Sequence, residues 1–301
     1  MHLRSKFGAA FALSAALLLA LAGPAQAQIP EPNVTNPDRI TAYPPFRVVG
    51  NLYWVGTRDL ASFLITSDGG HILINSGYSS SAPMILESIE TLGFDITDVE
   101  IITTAHSHND HVGALAELKH LSGADTHMHE NDLPLLVSGG DDDYRYPGGR
   151  GLLYEPIAVD RALQDGDTIE LGGNVLTVHL HAGHTKGSIS FSMEIEEGGR
   201  SYNVLLANMG TVNANVNLSY MPGYPEILSD YETTFADQKA MNPDIWLASH
   251  GGQFNMHDKY QPGMAYSPDN FLDPDGWHAK VAEYEAAFRA RIISDADKPR
   301  D

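Results

Sequence analysis

The run His106-Ser107-His108-Asn109-Asp110-His111 gathers three imidazoles and one carboxylate into little more than a turn of chain. Imidazole nitrogens and carboxylate oxygens are donors that suit zinc, and side chains at alternating positions of such a run can face two cations at once. The segment ahead of it, Val99-Glu100-Ile101-Ile102-Thr103-Thr104-Ala105, is β-branched and apolar, so the run belongs where a buried strand ends and a loop begins. Ligands placed there point into a cleft. The run therefore reads as the core of a two-metal centre.

Two later histidines extend it. His184 lies in Gly183-His184-Thr185-Lys186-Gly187-Ser188, after the apolar strand Val175–Leu180, and His250 lies in Ala248-Ser249-His250-Gly251-Gly252, after Ile245-Trp246-Leu247. Both put a histidine beside glycine at a strand end. With His106, His108, Asp110 and His111 they make six donors, enough for two tetrahedral or five-coordinate zinc ions that share a water or hydroxide. The other histidines read differently. His2 falls in a leader, and His71, His120, His257 and His278 stand alone without ligand spacing. The pairs His127/His129 and His179/His181 alternate on apparent strands and read as structural, or as support behind a ligand.

The elements that must carry these loops can be read from periodicity. After an irregular arm from Gln28 to Pro45, Arg47-Val48-Val49 and Leu52–Val55 flank Gly50-Asn51 as a hairpin, and Ala61–Thr66 and His71–Asn75 flank Asp68-Gly69-Gly70 as another. Gly77 closes that strand. Ala82–Leu92, ending at Gly93, and Val112–Leu121, ending at Gly123, have the spacing of helices with glycine terminators. Ala124–His129 is a short strand, and Pro147–Gly151 is a glycine-rich loop that could border a cleft. Strands resume at Thr168–Leu171, Val175–Leu180, Ile189–Met193 and Tyr202–Leu206, and helices are predicted at Tyr231–Met241 and Trp277–Arg291. Two similar runs of strands and helices imply an α/β fold, two sheets packed together with helices outside.

Composition limits the function. The 301 residues are 43% hydrophobic, enough to bury a large core. Met1–Lys6 is basic, Phe7–Ala22 is apolar and Pro24-Ala25-Gln26-Ala27 supplies a cleavage site of small residues, so residues 1–27 read as a secretory signal peptide and 28–301 as one mature domain, periplasmic or secreted. The apolar run falls short of the roughly 20 residues of a spanning helix, and no later stretch reads as a membrane span. Losing Arg4 and Lys6 takes the formal charge from −21 to −23, a surface that repels nucleic acid and anionic lipid. The run Asp141-Asp142-Asp143 reads as solvated loop. No cysteine is present, so every metal ligand must offer nitrogen or oxygen, and no thiolate nucleophile exists. Oligomeric state is not legible.

Taken together, the HxHxDH run, the GHTxGS-type loop and the late SHG histidine stand in the order found in the metallo-β-lactamase superfamily, which the chain resembles over nearly its whole mature length. With Ile72–Gly77 it is most similar to the zinc β-lactamases of subclass B3; the other subclasses use a cysteine ligand that this chain lacks. The resemblance implies an αββα sandwich. It implies one zinc on His106, His108 and His184 and a second on Asp110, His111 and His250. It further implies that a bridging hydroxide, oriented by Asp110, attacks the lactam carbonyl of penicillins, cephalosporins and carbapenems, a chemistry that confers antibiotic resistance.

One stretch departs from the pattern. Where many superfamily hydrolases carry a metal-bridging Asp, and subclass B3 usually reads Asp-Ser, this chain has Leu206-Ala207-Asn208-Met209-Gly210. Thr211 and Asn213 are the candidate replacement contacts to a small-molecule substrate. The competing reading is another di-zinc hydrolase of the same fold acting on lactones or thioesters, against which the missing bridging Asp argues. A non-enzymatic metal-binding module would need further protein ligands to close the open coordination site, and none is visible near the motifs.

Overall fold

The computed structural model describes residues 33–146 and 151–298; the leader and the start of the arm lie outside the described residues, as do positions 147–150 of the glycine-rich loop. Both hairpins form as expected. β1 (Phe46–Val49) pairs antiparallel with β2 (Leu52–Trp54) around Gly50, whose φ of 54° suits the turn, and β3 (Phe63–Ile65) pairs antiparallel with β4 (His71–Ile74). From there the first sheet becomes parallel. The helix α1 (Ala82–Thr91) leads to β5 (Val99–Thr103), the pair α2 (Asn109–Val112) and α3 (Leu115–Ser122) leads to β6 (Asp125–His129), and α4 (Leu133–Val137) precedes β7 (Arg161–Leu163). The seven strands lie in sequence order.

The second sheet holds β8 (Thr168–Leu171), β9 (Asn174–Leu180), β10 (Ile189–Glu197), β11 (Arg200–Ala207) and β12 (Ile245–Ala248). Its pairings are antiparallel except for β11 with β12, which run parallel because α5 (Ile227–Ala240) crosses over between them. The short α6 (Met256–Lys259) and the long α7 (Pro274–Asp295) complete the chain. No helix among the described residues is long and apolar enough to cross a membrane.

Side-chain alternation explains the layering. Phe63, Ile65, Ile72 and Ile74 face the second sheet, where they meet Leu176, Val178, Ile189 and Phe191; Leu64 and Leu73 point the other way, onto Ile85, Ile89, Leu115 and Leu118 of α1 and α3. Both faces of β3 and β4 are therefore buried, which is why these strands read as unbroken apolar runs. Against the far side of the second sheet lie Tyr231 and Phe235 of α5 with Trp277 and Phe288 of α7. Helix, sheet, sheet, helix is the order of the sandwich.

Several boundaries differ from the sequence reading. The helix expected over Val112–Leu121 is two pieces, α2 and α3, broken at Gly113-Ala114. Gly113 passes so close to the chain at Tyr78 and Ser79 that a Cβ there would sit 2.7 Å from the Ser79 nitrogen. α5 starts at Ile227, ahead of the expected Tyr231. α7 runs from Pro274, with the Asp273 side chain accepting from the Gly276 N–H at 3.0 Å as its cap, to Asp295. β7 and α4 were not expected.

Candidate metal centre

Each element ends where a ligand-capable side chain begins. β5 delivers His106 and His108, α2 carries Asp110 and His111, the turn between β9 and β10 carries His184, and β12 runs straight into His250. These are strand termini, where α/β sheets place their clefts. The turn Asn75-Ser76-Gly77 after β4 grips the motif at both ends. Asn75 takes the left-handed conformation, φ 64°, and its Oδ1 accepts from the Thr104 hydroxyl and the Ala105 N–H, each at 2.9 Å. Ser76 donates its N–H (2.8 Å) and hydroxyl (3.1 Å) to the His111 carbonyl, and Gly113 donates its N–H to Gly77 O at 2.8 Å. At His184, Gly183 has φ 128° and a Cβ there would lie 2.7 Å from the Tyr231 ring, so only glycine fits.

Backbone bonds also stitch the two sheets beneath the site. Ile189 N–H donates to Ala105 O at 2.8 Å, Gly251 N–H to Asp59 O at 2.6 Å, and Ala61 N–H to Ser249 O at 3.1 Å.

All six donors expected from the sequence come together. The rings of His106, His108 and His184 stand 4.7 Å apart, centroid to centroid, on every side of the triangle, and His108 Nδ1 lies 3.1 Å from His184 Nε2. His106, Asp110 and His111 form a second set with donor atoms within 4.8 Å of one another, so His106 borders both groups. His250 joins the second set through Asp110, whose Oδ2 is 3.7 Å from His250 Nε2, and packs its ring 5.1 Å from that of His111.

Electrostatics leaves these groups in the forms that bind cations. Burial, reinforced by neighbouring imidazoles, holds His106, His108 and His111 well below the ordinary histidine value, and burial brings His184 down to about 4. All are neutral at pH 7. Burial pushes Asp110 upward, but His250 and Arg39 outweigh it and hold the carboxyl below its usual range. Among the described residues, both ring nitrogens of His106 and His111 and Nε2 of His108 are buried with no hydrogen-bond partner. Each of these three rings keeps a buried nitrogen without a partner, a desolvation cost that a coordinated cation would relieve for one nitrogen of a ring, and the nitrogen and oxygen chemistry of the set fits zinc.

Around the donors stand side chains that the sequence reading did not single out. Asp59 Oδ2 lies 3.3 Å from His250 Nδ1, and Arg39 reaches from the N-terminal segment to both Asp59 (3.6 Å) and Asp110 (3.3 Å). Asp132 accepts hydrogen bonds from the loops of His106 and His184. Tyr154 donates its hydroxyl to Ser107 O at 2.8 Å. None of these carries a local spacing signal.

Thr211 turns its carbonyl (2.8 Å) and its hydroxyl (3.1 Å) toward His184 Nδ1 and so orients a ligand-capable ring. Asn213 has a buried Nδ2 without a partner among the described residues, as does Asn208. The backbone of Asn208 is tied down by Ser190 (2.9 Å) and Gln238 (2.8 Å). Of the acidic run, Asp141 and Asp142 are exposed as expected, but Asp143 is buried, because the Arg145 Nε bonds both its oxygens at 3.0 Å. The remaining histidines serve structure: His179 pairs with Ser192 (2.7 Å), His181 with Ser190 (2.6 Å), and His257 packs on Tyr43.

Comparison with known proteins agrees with this geometry. A family model for the metallo-β-lactamase superfamily matches residues 56–197. The chain is 40% identical to the metallo-β-lactamase GOB-18 of Elizabethkingia meningoseptica, with a TM-score of 0.86, covering 89% of this chain and 100% of that one. It is 42% identical to the class B3 di-zinc metallo-β-lactamase LRA-12 from an Alaskan soil metagenome, with a TM-score of 0.84, covering 87% and 99%. A hydroxyacylglutathione hydrolase of Xanthomonas campestris is 29% identical over 153 residues, which are 51% of this chain and 46% of that protein. The chain thus matches about half the length of that hydrolase.

Proposed function

This chain belongs to the metallo-β-lactamase superfamily, and on that footing we propose that it is a di-zinc enzyme that hydrolyses the β-lactam amide bond of penicillins, cephalosporins and carbapenems. The observation that carries the reading is the convergence of six nitrogen and oxygen donors from four loops in a chain without cysteine. His106, His108 and His184 would hold one ion, and Asp110, His111 and His250 the other. Zinc, when bound, lowers the pKa of a coordinated water to about 7 and polarises a carbonyl. The chain's own part is to present neutral imidazoles, to keep Asp110 ionised as a hydrogen-bond acceptor beside the attacking water, and to supply no competing thiolate. The likeness to β-lactamases over nearly their full length supports this choice of substrate.

A second reading, lactone or thioester hydrolysis, draws on the match to hydroxyacylglutathione hydrolase. Asn208, an amide where such enzymes place a bridging carboxylate, weighs against it. Turnover of a penicillin, a cephalosporin and a carbapenem by zinc-loaded protein, beside S-lactoylglutathione and an acyl-homoserine lactone, separates the two. Inactivity on all three drugs sinks the lactamase reading; EDTA should abolish activity and zinc restore it, while clavulanate should have no effect. The proposal includes export by a cleaved leader over residues 1–27, releasing a domain of residues 28–301 to the periplasm or medium and conferring resistance there. N-terminal sequencing of the exported protein, with drug susceptibility of the host, tests that part.

A further inference from the structure

Asp132 stands at the N-terminal end of α4 yet makes no capping bond to that helix. Its carboxylate is turned the other way and is 2% exposed. Oδ2 accepts the Ser107 N–H at 2.9 Å and the Thr185 hydroxyl at 2.8 Å, and Oδ1 accepts the Gly187 N–H at 2.7 Å. Ser107 is the residue between His106 and His108, and Thr185 follows His184. One carboxylate therefore fastens together the two loops that supply all three corners of the histidine triangle.

The surroundings are built for this contact. A Cβ on Gly187 would lie 2.5 Å from the Asp132 nitrogen, so glycine is what allows the approach. Thr185 is held in turn by Ser188, whose Oγ lies 2.8 Å from both its N and Oγ1, and Ser107 is held from its carbonyl side by Tyr154. A buried carboxylate is expensive unless its lone pairs are filled. Here they are filled by three donors from two separate segments, 25 and 55 residues away in the chain.

We infer that Asp132 is the positioning residue of the three-histidine site, setting the 3.1 Å approach of His108 to His184 and with it the affinity for the cation these rings would hold. The inference rests on the metal reading proposed above. An amide at this position cannot accept on both sides: its NH2 must face either the Gly187 N–H or the Ser107 and Thr185 donors, so at least one bond becomes a clash. Removing the Thr185 hydroxyl is gentler: of the three bonds to Asp132 it deletes one, together with the contact to Ser188 Oγ.

The test compares full-length wild type with Asp132→Asn and Thr185→Val, using zinc and cobalt(II) as probes. Affinity is measured by chelator competition, coordination by the visible spectrum of the cobalt form, and melting temperature with and without metal. Loss of an oriented partner behind a ligand costs roughly 10–100-fold in metal affinity. One of the two ions should weaken by that amount in Asp132→Asn and by less in Thr185→Val, the other ion should bind as in wild type, and the metal-induced rise in melting temperature should shrink. A lower melting temperature of the metal-free variants with unchanged affinity for both ions would mean a purely structural carboxylate and overturn the inference, as would equal loss at both ions. If Asp132→Asn does not fold, Thr185→Val decides by the same criteria. Wild type that takes up no metal would bring down the metal reading itself, and this inference with it.

Discussion

The carbonyl oxygen of Thr211 accepts from His184 Nδ1 at 2.8 Å and, from the other side, from the Tyr231 hydroxyl at 2.8 Å. Only a protonated Nδ1 can face a carbonyl, so the proton of His184 is fixed there and the Nε2 lone pair is aimed at His108. The tautomer of a ligand-capable ring is thus set by the Thr211 carbonyl, which Tyr231 of α5, a helix on the outside of the second sheet, holds from the other side.

Replacing Tyr231 by Phe keeps the ring packed on Gly183 and removes only the hydroxyl. The expected loss is about 1 kcal/mol in urea denaturation. Zinc affinity of the histidine triangle should fall by about tenfold or less, read by chelator competition. A larger loss of stability than of zinc binding would place the hydroxyl's role in packing.

His108→Ala removes one corner of the triangle and should lower kcat/KM at least about 100-fold, with loss of one zinc equivalent per chain by elemental analysis. His257→Ala, which disturbs only an edge contact with Tyr43, should leave both quantities near wild type. Equal effects in the two variants would show that the donors had been misidentified.

Asp59 holds His250 from behind in the same manner as Thr211 holds His184. Asp59→Asn keeps the shape and removes the charge. The ion on Asp110, His111 and His250 should bind roughly 10–100-fold more weakly while the other is unaffected, visible as a split between two binding steps in calorimetric titration. A single unchanged step pair contradicts this.

His181, away from the metal ligands, is one source of pH dependence. Burial brings it down to about 3 from 6.5, and its Nδ1 lies 2.6 Å from the Ser190 hydroxyl. The folded value lies below the unfolded one, so between these limits the unfolded chain binds more protons. Stability from this residue is complete above pH 6.5 and is lost as pH falls toward 3. His181→Asn, which keeps an acceptor but cannot titrate, should flatten the fall in urea midpoint between pH 7 and pH 4.5 relative to wild type. Parallel curves would exclude His181 as a source of acid lability.

The donors were legible because each sits beside a glycine or at the end of an apolar strand, and because metal chemistry restricts residue type. What escaped notice was whatever depends on distant partners. Asp59 meets His250 across 191 residues and Asp132 meets Gly187 across 55, so neither has a local pattern. The break between α2 and α3 follows from the approach of Gly113 to Ser79, a tertiary contact that overrides a continuous helical periodicity. β7 is three residues long with two exposed, too brief for alternation to show. Thr211 reads from the sequence as a substrate contact, whereas the bond to His184 is made by its backbone carbonyl, and a carbonyl leaves no trace in residue type.

The bonds from Gly251 to Asp59 and from Ala61 to Ser249 close a very long loop of chain. Closure over such a span is entropically slow and gains nothing until both ends are present. On the ribosome, β12 must emerge before His250 can meet Asp110, so the centre is among the last parts of the molecule to be completed during synthesis. Nascent chains released before that point could hold the histidine triangle at most, and premature termination would yield incomplete sites and no partially active products.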